Sequence, residues 1–169
     1  MKKTLTKRLC RAGVIAALYA ALTYAFMPFA YGPFQIRPAE ALCILPLLLP
    51  EAVPALFVGC LISNIPSGLY DMFIGSSATL IAAIATYGVG LLIKKDWAKI
   101  ALGGVFPVLV NAFIIPLMIV FLYGDMGAYQ SARVAYFVYV GSIALTQSVW
   151  VYALGTPLYF GVKKALKAR

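Results

Sequence analysis

The stretch "FQIRPAEAL", residues 34–42, places Arg37 and Glu40 three positions apart at the mouth of an apolar run. A carboxylate can accept two hydrogen bonds side by side. That suits an amidine- or guanidine-like edge, such as N1–H and the 2-amino group of a guanine-type base. Glu40 would then face a ligand, with Arg37 orienting it or touching the ligand directly. A second reading is helix-start chemistry. Pro38 at the first helical position and an acid in the first turn are ordinary there, and Arg37 would pair with Glu40 or reach toward a headgroup. Other polar residues stand alone in apolar surroundings: Asn64, Asp71, Asn111 and Gln147. An amide in hydrocarbon costs free energy unless it is hydrogen-bonded. Each must therefore face a neighbouring helix or a cavity, and both remain open for Asn111 and Gln147. Gln147 and Trp150 are spaced i, i+3 and share a helix face. Trp150 or Phe34 could stack on a base, an interaction worth roughly 1–3 kcal/mol in nucleic-acid sites; ordinary packing is the other reading for Trp150.

Catalytic chemistry is absent from the pattern. The chain has no GxxxxGK[ST], HExxH or GxSxG motif, no histidine and five acidic residues. It is not expected to be an enzyme, to bind ATP itself or to carry a cofactor. Cys10, Cys43 and Cys60 are an odd count without CxxC spacing, so neither a disulfide framework nor a metal site is expected. No ionisable residue falls at the centre of an apolar run. Coupled carriers usually place an acid there, which counts against a self-powered secondary transporter.

These residues must be positioned by a membrane fold. Of 169 residues, 63% are hydrophobic and 11% charged, and the mean hydropathy is +0.94. Globular domains carry about 25% charged residues, so this chain cannot coat a water-soluble particle. The net charge of +9 is concentrated in three clusters: Lys2, Lys3, Lys7, Arg8 and Arg11; Lys94, Lys95 and Lys99; Lys163, Lys164, Lys167 and Arg169. Each abuts an apolar run, which is the positive-inside pattern and not a nucleic-acid footprint. The basic start and first apolar run imitate a signal peptide, but Ala12–Ala30 approaches the roughly 20 residues that span a bilayer. A retained first helix is expected.

Apolar runs fall at 12–30, 39–66, 72–93, 100–123 and 134–162. Parity divides the second run. A single crossing there would put the lysines of "KKDWAK" on the outside, whereas an inward and a returning segment leave them inside. Pro46, Pro50 and Pro54 break helix interiors and support the division. Two true crossings and a shallow hairpin satisfy the same parity. The expectation is an all-α, single-domain integral membrane bundle over 1–169. It has a basic segment 1–11 and six transmembrane helices, about 12–30, 39–50, 51–66, 72–93, 100–123 and 134–162, with both termini cytoplasmic. Small residues repeat on the first helix (Ala12, Ala16, Ala20, with Gly13, Ala17 and Ala21 alongside). They repeat again on the fourth, as Gly75, Ala78, Thr79, Ala82, Ala83 and Thr86. Such spacing allows close helix approach, within the chain or to a partner.

"FQIRPAEALCILPLLLPEAVPALFVGCLISNI", followed by "YDMFIGSSATLIAAIATY", closely resembles the queuosine-precursor transporter family (QueT type), whose members look like substrate-binding S components of energy-coupling factor transporters. The resemblance covers about residues 10–162. It is strongest over 34–86, where Arg37, Glu40, Pro46, Pro54, Gly59, Asn64, Asp71, Gly75 and Thr79 fit the pattern. It implies a six-helix bundle, multi-pass in a bacterial cell membrane, with its pocket near the outer face. The implied substrate is a 7-deazaguanine such as queuine or its aminomethyl and cyano precursors. The implied partners are a transmembrane T component and two cytoplasmic ATPase subunits, beside membrane lipid and no nucleic acid. Ala12, Ala16 and Ala20 resemble the surface on which S components dock. Glu40 and Asp71 would offer carboxylates, and Asn64, Asn111 and Gln147 amides, with Arg37, Phe34 and Trp150 around them. The short "IPSGLYD" loop departs from the pattern and gives an outer gate little material. The rival readings are a homo-oligomeric channel or small carrier needing no ATPase, an S component for another vitamin-like solute, and a membrane scaffold without a small ligand.

Overall fold

A computed structural model describes residues 2–31 and 35–168. Among them the chain is helical, with no strand. The α-helices are α1 (Lys2–Ala25), α2 (Met27–Ala30), α3 (Ala52–Ser63), α4 (Ser76–Leu92), α5 (Asp96–Leu117), α6 (Ala132–Ser148) and α7 (Gly155–Lys167). Three π-helical stretches, Asp71–Gly75, Met118–Leu122 and Val149–Leu154, join onto α4, α5 and the α6–α7 pair. Three continuous helices result, Asp71–Leu92, Asp96–Leu122 and Ala132–Lys167, each long and apolar enough to cross a membrane. Leu91, Leu92, Phe137 and Leu145 are among the large apolar side chains left on the outside, a surface suited to lipid and not to water.

The run 39–66 is divided, though differently from the expected 39–50 and 51–66. Pro38–Leu47 is a 3-10 helix of ten residues, and all ten are buried. Runs beyond 3–4 residues are uncommon in this conformation. Pro46 inside it has no N–H to give to an α-helical ladder. Leu48–Glu51 then turns the chain into α3. The direction of the two pieces follows from their contacts with α1. Tyr19 reaches Glu40 and Arg11 reaches Glu51, so the 3-10 helix runs against α1. Arg11–Glu51, Ala16–Gly59 and Tyr24–Ile62 show that α3 runs alongside it. Pro38–Ser63 is therefore a hairpin inside the bundle. At about 2.0 Å and 1.5 Å rise per residue, its arms of ten and twelve residues extend some 20 Å and 18 Å. Each is shorter than the hydrocarbon core of about 30 Å.

Helix α1 begins at Lys2, so the basic stretch expected as a separate segment forms its first turns. Lysine, arginine and leucine are good helix formers. The helix stops at Ala25, ahead of Pro28, and the last helix likewise runs on through the C-terminal lysines. Ala12 and Ala16 lie against the core that contains Ala55, Leu56 and Cys60, and Ala20 is buried. A Cβ on Gly59 would stand 2.8 Å from the Ala16 carbonyl oxygen, so only glycine permits this approach. The stripe expected to meet a partner is thus taken up by α3, and Gly13, Ala17 and Ala21 face outward. Both faces of α1 carry small residues, so spacing alone could not choose between them. The stripe of α4 is internal as well: Gly75, Ala78, Thr79, Ala82, Ala83 and Thr86 are all buried, and Thr86 Oγ1 donates to the Gly103 carbonyl at 2.9 Å.

The basic clusters gather at one end of the bundle. There Arg11 meets Glu51 at 3.3 Å, Lys99 Nζ caps the Gly90 carbonyl at 2.8 Å, and Lys163 pairs with Asp96. Trp97 is exposed at this end with its ring 5.2 Å from that of Phe160. Asn64, Asp71, Tyr123 and Asp125 lie at the opposite end.

Candidate functional site

Helix-start residues of the 3-10 helix carry Glu40 into the bundle, where it is 1% exposed. Tyr19 Oη donates to Glu40 Oε1 at 2.6 Å. Cys43 Sγ donates to Oε2 at 3.2 Å, and Asn111 Nδ2 to the same oxygen at 3.5 Å. A carboxylate offers about four lone-pair sites. Three neutral donors fill three of them, leaving acceptor capacity on Oε1. Asn111 Oδ1 is buried and has no partner within the protein. Glu40 and Asn111 therefore form a two-point acceptor edge, with the orphaned amide oxygen beside a carboxylate that is not fully used.

The Arg37–Glu40 ion pair, one of the two contacts that the helix-start reading offered, is not formed. Arg37 is buried; its Nε donates to the Ala30 carbonyl at 2.6 Å and its guanidinium lies 4.8 Å from the centre of the Tyr31 ring. The extended backbone of Arg37 (φ −124°) turns its side chain back toward residues 30–31 and away from the helix it precedes. Its Nη2 has no partner. The Tyr31 hydroxyl donates to the Ser63 carbonyl, and burial pushes this phenol above its ordinary value, so it remains a donor at neutral pH.

Asn64 and Asp71 meet at the far end of α3. Asn64 Nδ2 donates to the Asp71 carbonyl at 2.9 Å and to Cys60 Sγ at 3.3 Å, leaving Asn64 Oδ1 orphaned. Asp71 Oδ2 accepts from Tyr123 Oη at 3.2 Å. A Cβ on Gly75 would stand 3.1 Å from Asn64 Nδ2, so the glycine keeps this amide in place. Asp71 also lines an open chamber of about 290 Å³ with Tyr31, Gln35, Ser67, Tyr123 and Asp125 among its walls. That is near the lower limit for ligand pockets, about 300 Å³. Gln35 is the one described non-glycine residue with positive φ, 47°, a conformation that costs of order 1–3 kcal/mol and clusters at ligand sites.

The structure thus brings Glu40 to Asn111, and Asn64 to Asp71, with Arg37 buried near Tyr31. Gln147 is buried at the end of α6 and its Oε1 is orphaned; Ser76 Oγ is orphaned at the start of α4. Trp150 is half-buried in the π-helical stretch that follows Gln147. Phe34 lies outside the described residues. Tyr19, Cys43, Tyr31 and Tyr123 had not been singled out for the site. Tyr19 left one signal, a hydroxyl within an alanine-rich apolar helix, which needs a partner when buried. Five orphaned buried polar atoms among the described residues call for an explanation, since each costs about 1–3 kcal/mol when unpaired. Four of the five are oxygens able to accept a hydrogen bond.

Comparison with curated proteins and with solved structures gave no match. A family model described as QueT transporter matches residues 9–164, nearly the whole chain. The chain belongs to the QueT transporter family, and that membership implies a transport role for a queuosine precursor.

Proposed function

We propose that the chain is the membrane-embedded substrate-binding subunit, or S component, of an energy-coupling factor transporter, and that it takes up a 7-deazaguanine base. The observation that carries this reading is the acceptor edge of Glu40 and Asn111. A deazaguanine presents N1–H and a 2-amino group in parallel, which would satisfy the spare capacity of Glu40 and the orphaned Asn111 Oδ1 together. Gln147 and Asn64 would accept from other donors of the base, Arg37 Nη2 would reach its carbonyl, and Trp150 and Phe34 would stack on it. Asp71 would draw the solute into the chamber. Six helical segments cross or enter a bacterial membrane with both termini cytoplasmic, in keeping with the gathering of basic residues at one end. A transmembrane T component with two cytoplasmic ATPase subunits would supply the energy; the T component would dock on α1, at Gly13, Ala17 and Ala21 beside the Ala12, Ala16 and Ala20 stripe that α3 covers.

Calorimetric titration of the purified protein with queuine, its aminomethyl and cyano precursors, and guanine tests the substrate. Saturable binding of a deazaguanine, weakened roughly 10- to 100-fold by Glu40→Gln, is expected from the loss of a charge-assisted bond of about 1.5–3 kcal/mol. Unchanged affinity in both Glu40→Gln and Glu40→Ala would remove Glu40 from the site. Uptake in cells lacking the ATPase module tests the coupling; full uptake there would favour an independent carrier.

A further inference from the structure

At the basic end, α1, the 3-10 helix and α7 enclose a groove of about 380 Å³. Its walls are aliphatic: Val14 and Leu18 from α1, Leu42 and Leu45 from the 3-10 helix, Val162 and Leu166 from α7. No aromatic ring and no acid lines it. It is separate from the deazaguanine site, because Glu40 and its three donors are not among its walls. Polarity enters at one end, where Arg11 and Cys10 close the lining. Arg11 Nη1 touches Glu51 Oε1 at 3.3 Å. Lys7 stands one turn before Arg11 on the same helix, Arg8 lies beside it, and both are exposed. Of these three cations only Arg11 touches the carboxylate, so positive charge is in excess at this end.

This polarity gradient describes an amphiphile. A groove with no hydrogen-bonding group along its length offers a peptide nothing but contact, yet it accepts an acyl chain fully. A cationic end next to it attracts an acidic head. We infer that the groove is a binding site for an anionic phospholipid, with one acyl chain along Val14, Leu45 and Val162 and the phosphate at Arg11, assisted by Lys7. A bound chain would press against Ile15 and Leu18, next to Tyr19, and so would bear on the turn of α1 that holds Glu40.

Native mass spectrometry of the purified protein, titrated with phosphatidylglycerol or with phosphatidylcholine of identical chains, tests the site. Tighter binding of phosphatidylglycerol is expected. Lys7→Gln and Arg11→Ala should each weaken it about fivefold while leaving phosphatidylcholine unchanged, as removal of one cation near an anionic lipid implies. Arg11→Lys should keep most of the preference. Val14→Trp, which fills the trough from a position already 59% exposed, should reduce binding of both lipids. Lys7 has no part in the Arg11–Glu51 contact, so its variant reads the head group without disturbing that pair. Equal binding of the two lipids, or a preference that survives Lys7→Gln and Val14→Trp together, would overturn the assignment and leave the groove to a protein helix.

Discussion

Two of the tyrosine–carboxylate pairs, one near the basic end and one deep in the bundle, put the same contact to different uses. Near the basic end, Tyr159 Oη donates to Asp96 Oδ1 at 2.8 Å while Lys163 takes Oδ2. Deep in the bundle, Tyr19 Oη donates to Glu40 Oε1 at 2.6 Å, but no cation among the described residues touches Glu40, and its other donors are a thiol and an amide. The Asp96 side chain is 30% exposed, and Glu40 is almost wholly buried. The contrast separates two uses of one motif. Asp96 has a full-charge partner and solvent, so it is a closed tie between α5 and α7. Glu40 has neutral donors, spare lone pairs and an orphaned oxygen beside it, so it is open to a further donor.

The largest test of this contrast is Glu40→Ala. It removes the acceptor and strands the Tyr19 hydroxyl and the Asn111 amide, so deazaguanine affinity should fall by more than about 100-fold in calorimetry. Tyr19→Phe keeps the ring and removes one donor. It should weaken the ligand by about tenfold through loss of the bond that sets the carboxylate, with a small change in thermal unfolding. Asp71→Asn leaves the chamber's shape and removes its charge. A drop of about fivefold or less is expected, concentrated in the association rate and sensitive to salt. Asp96→Asn should be the mildest: binding unchanged, and stability lowered by less than about 1 kcal/mol, as for exposed ion pairs. Equal damage to binding from Asp96→Asn and Glu40→Gln would break the distinction.

For the candidate site, burial was legible as isolated polarity. Glu40, Asn64, Asp71, Asn111 and Gln147 stood out because hydrocarbon penalises unpaired polar groups, and all five are buried. Their partners were not legible. Tyr19 meets Glu40 across 21 positions, and Asn111 meets it across 71. Nothing in local spacing encodes contacts made by tertiary packing. Arg37 and Glu40 looked like a pair because they are three apart, yet the extended backbone at Arg37 sends its side chain to Ala30. The division of 39–66 followed from charge parity and prolines. Its 3-10 form did not, because a segment buried on every side shows no periodicity from which 3.0 and 3.6 residues per turn could be told apart. The basic segment 1–11 was set apart from the first helix because its polarity differs from the apolar run, while its lysines, arginines and leucines favour helix and continue α1.

The three cysteines differ sharply in surroundings: Cys10 is exposed at the lip of the α1 groove, while Cys43 and Cys60 are buried beside Glu40 and Asn64. The natural chain therefore carries its own labelling handle. A maleimide dye applied to the folded protein goes to Cys10 alone and reports on the groove without mutagenesis. Cys43 becomes a footprint, alkylated only when the bundle opens around Glu40 and shielded whenever that carboxylate is engaged.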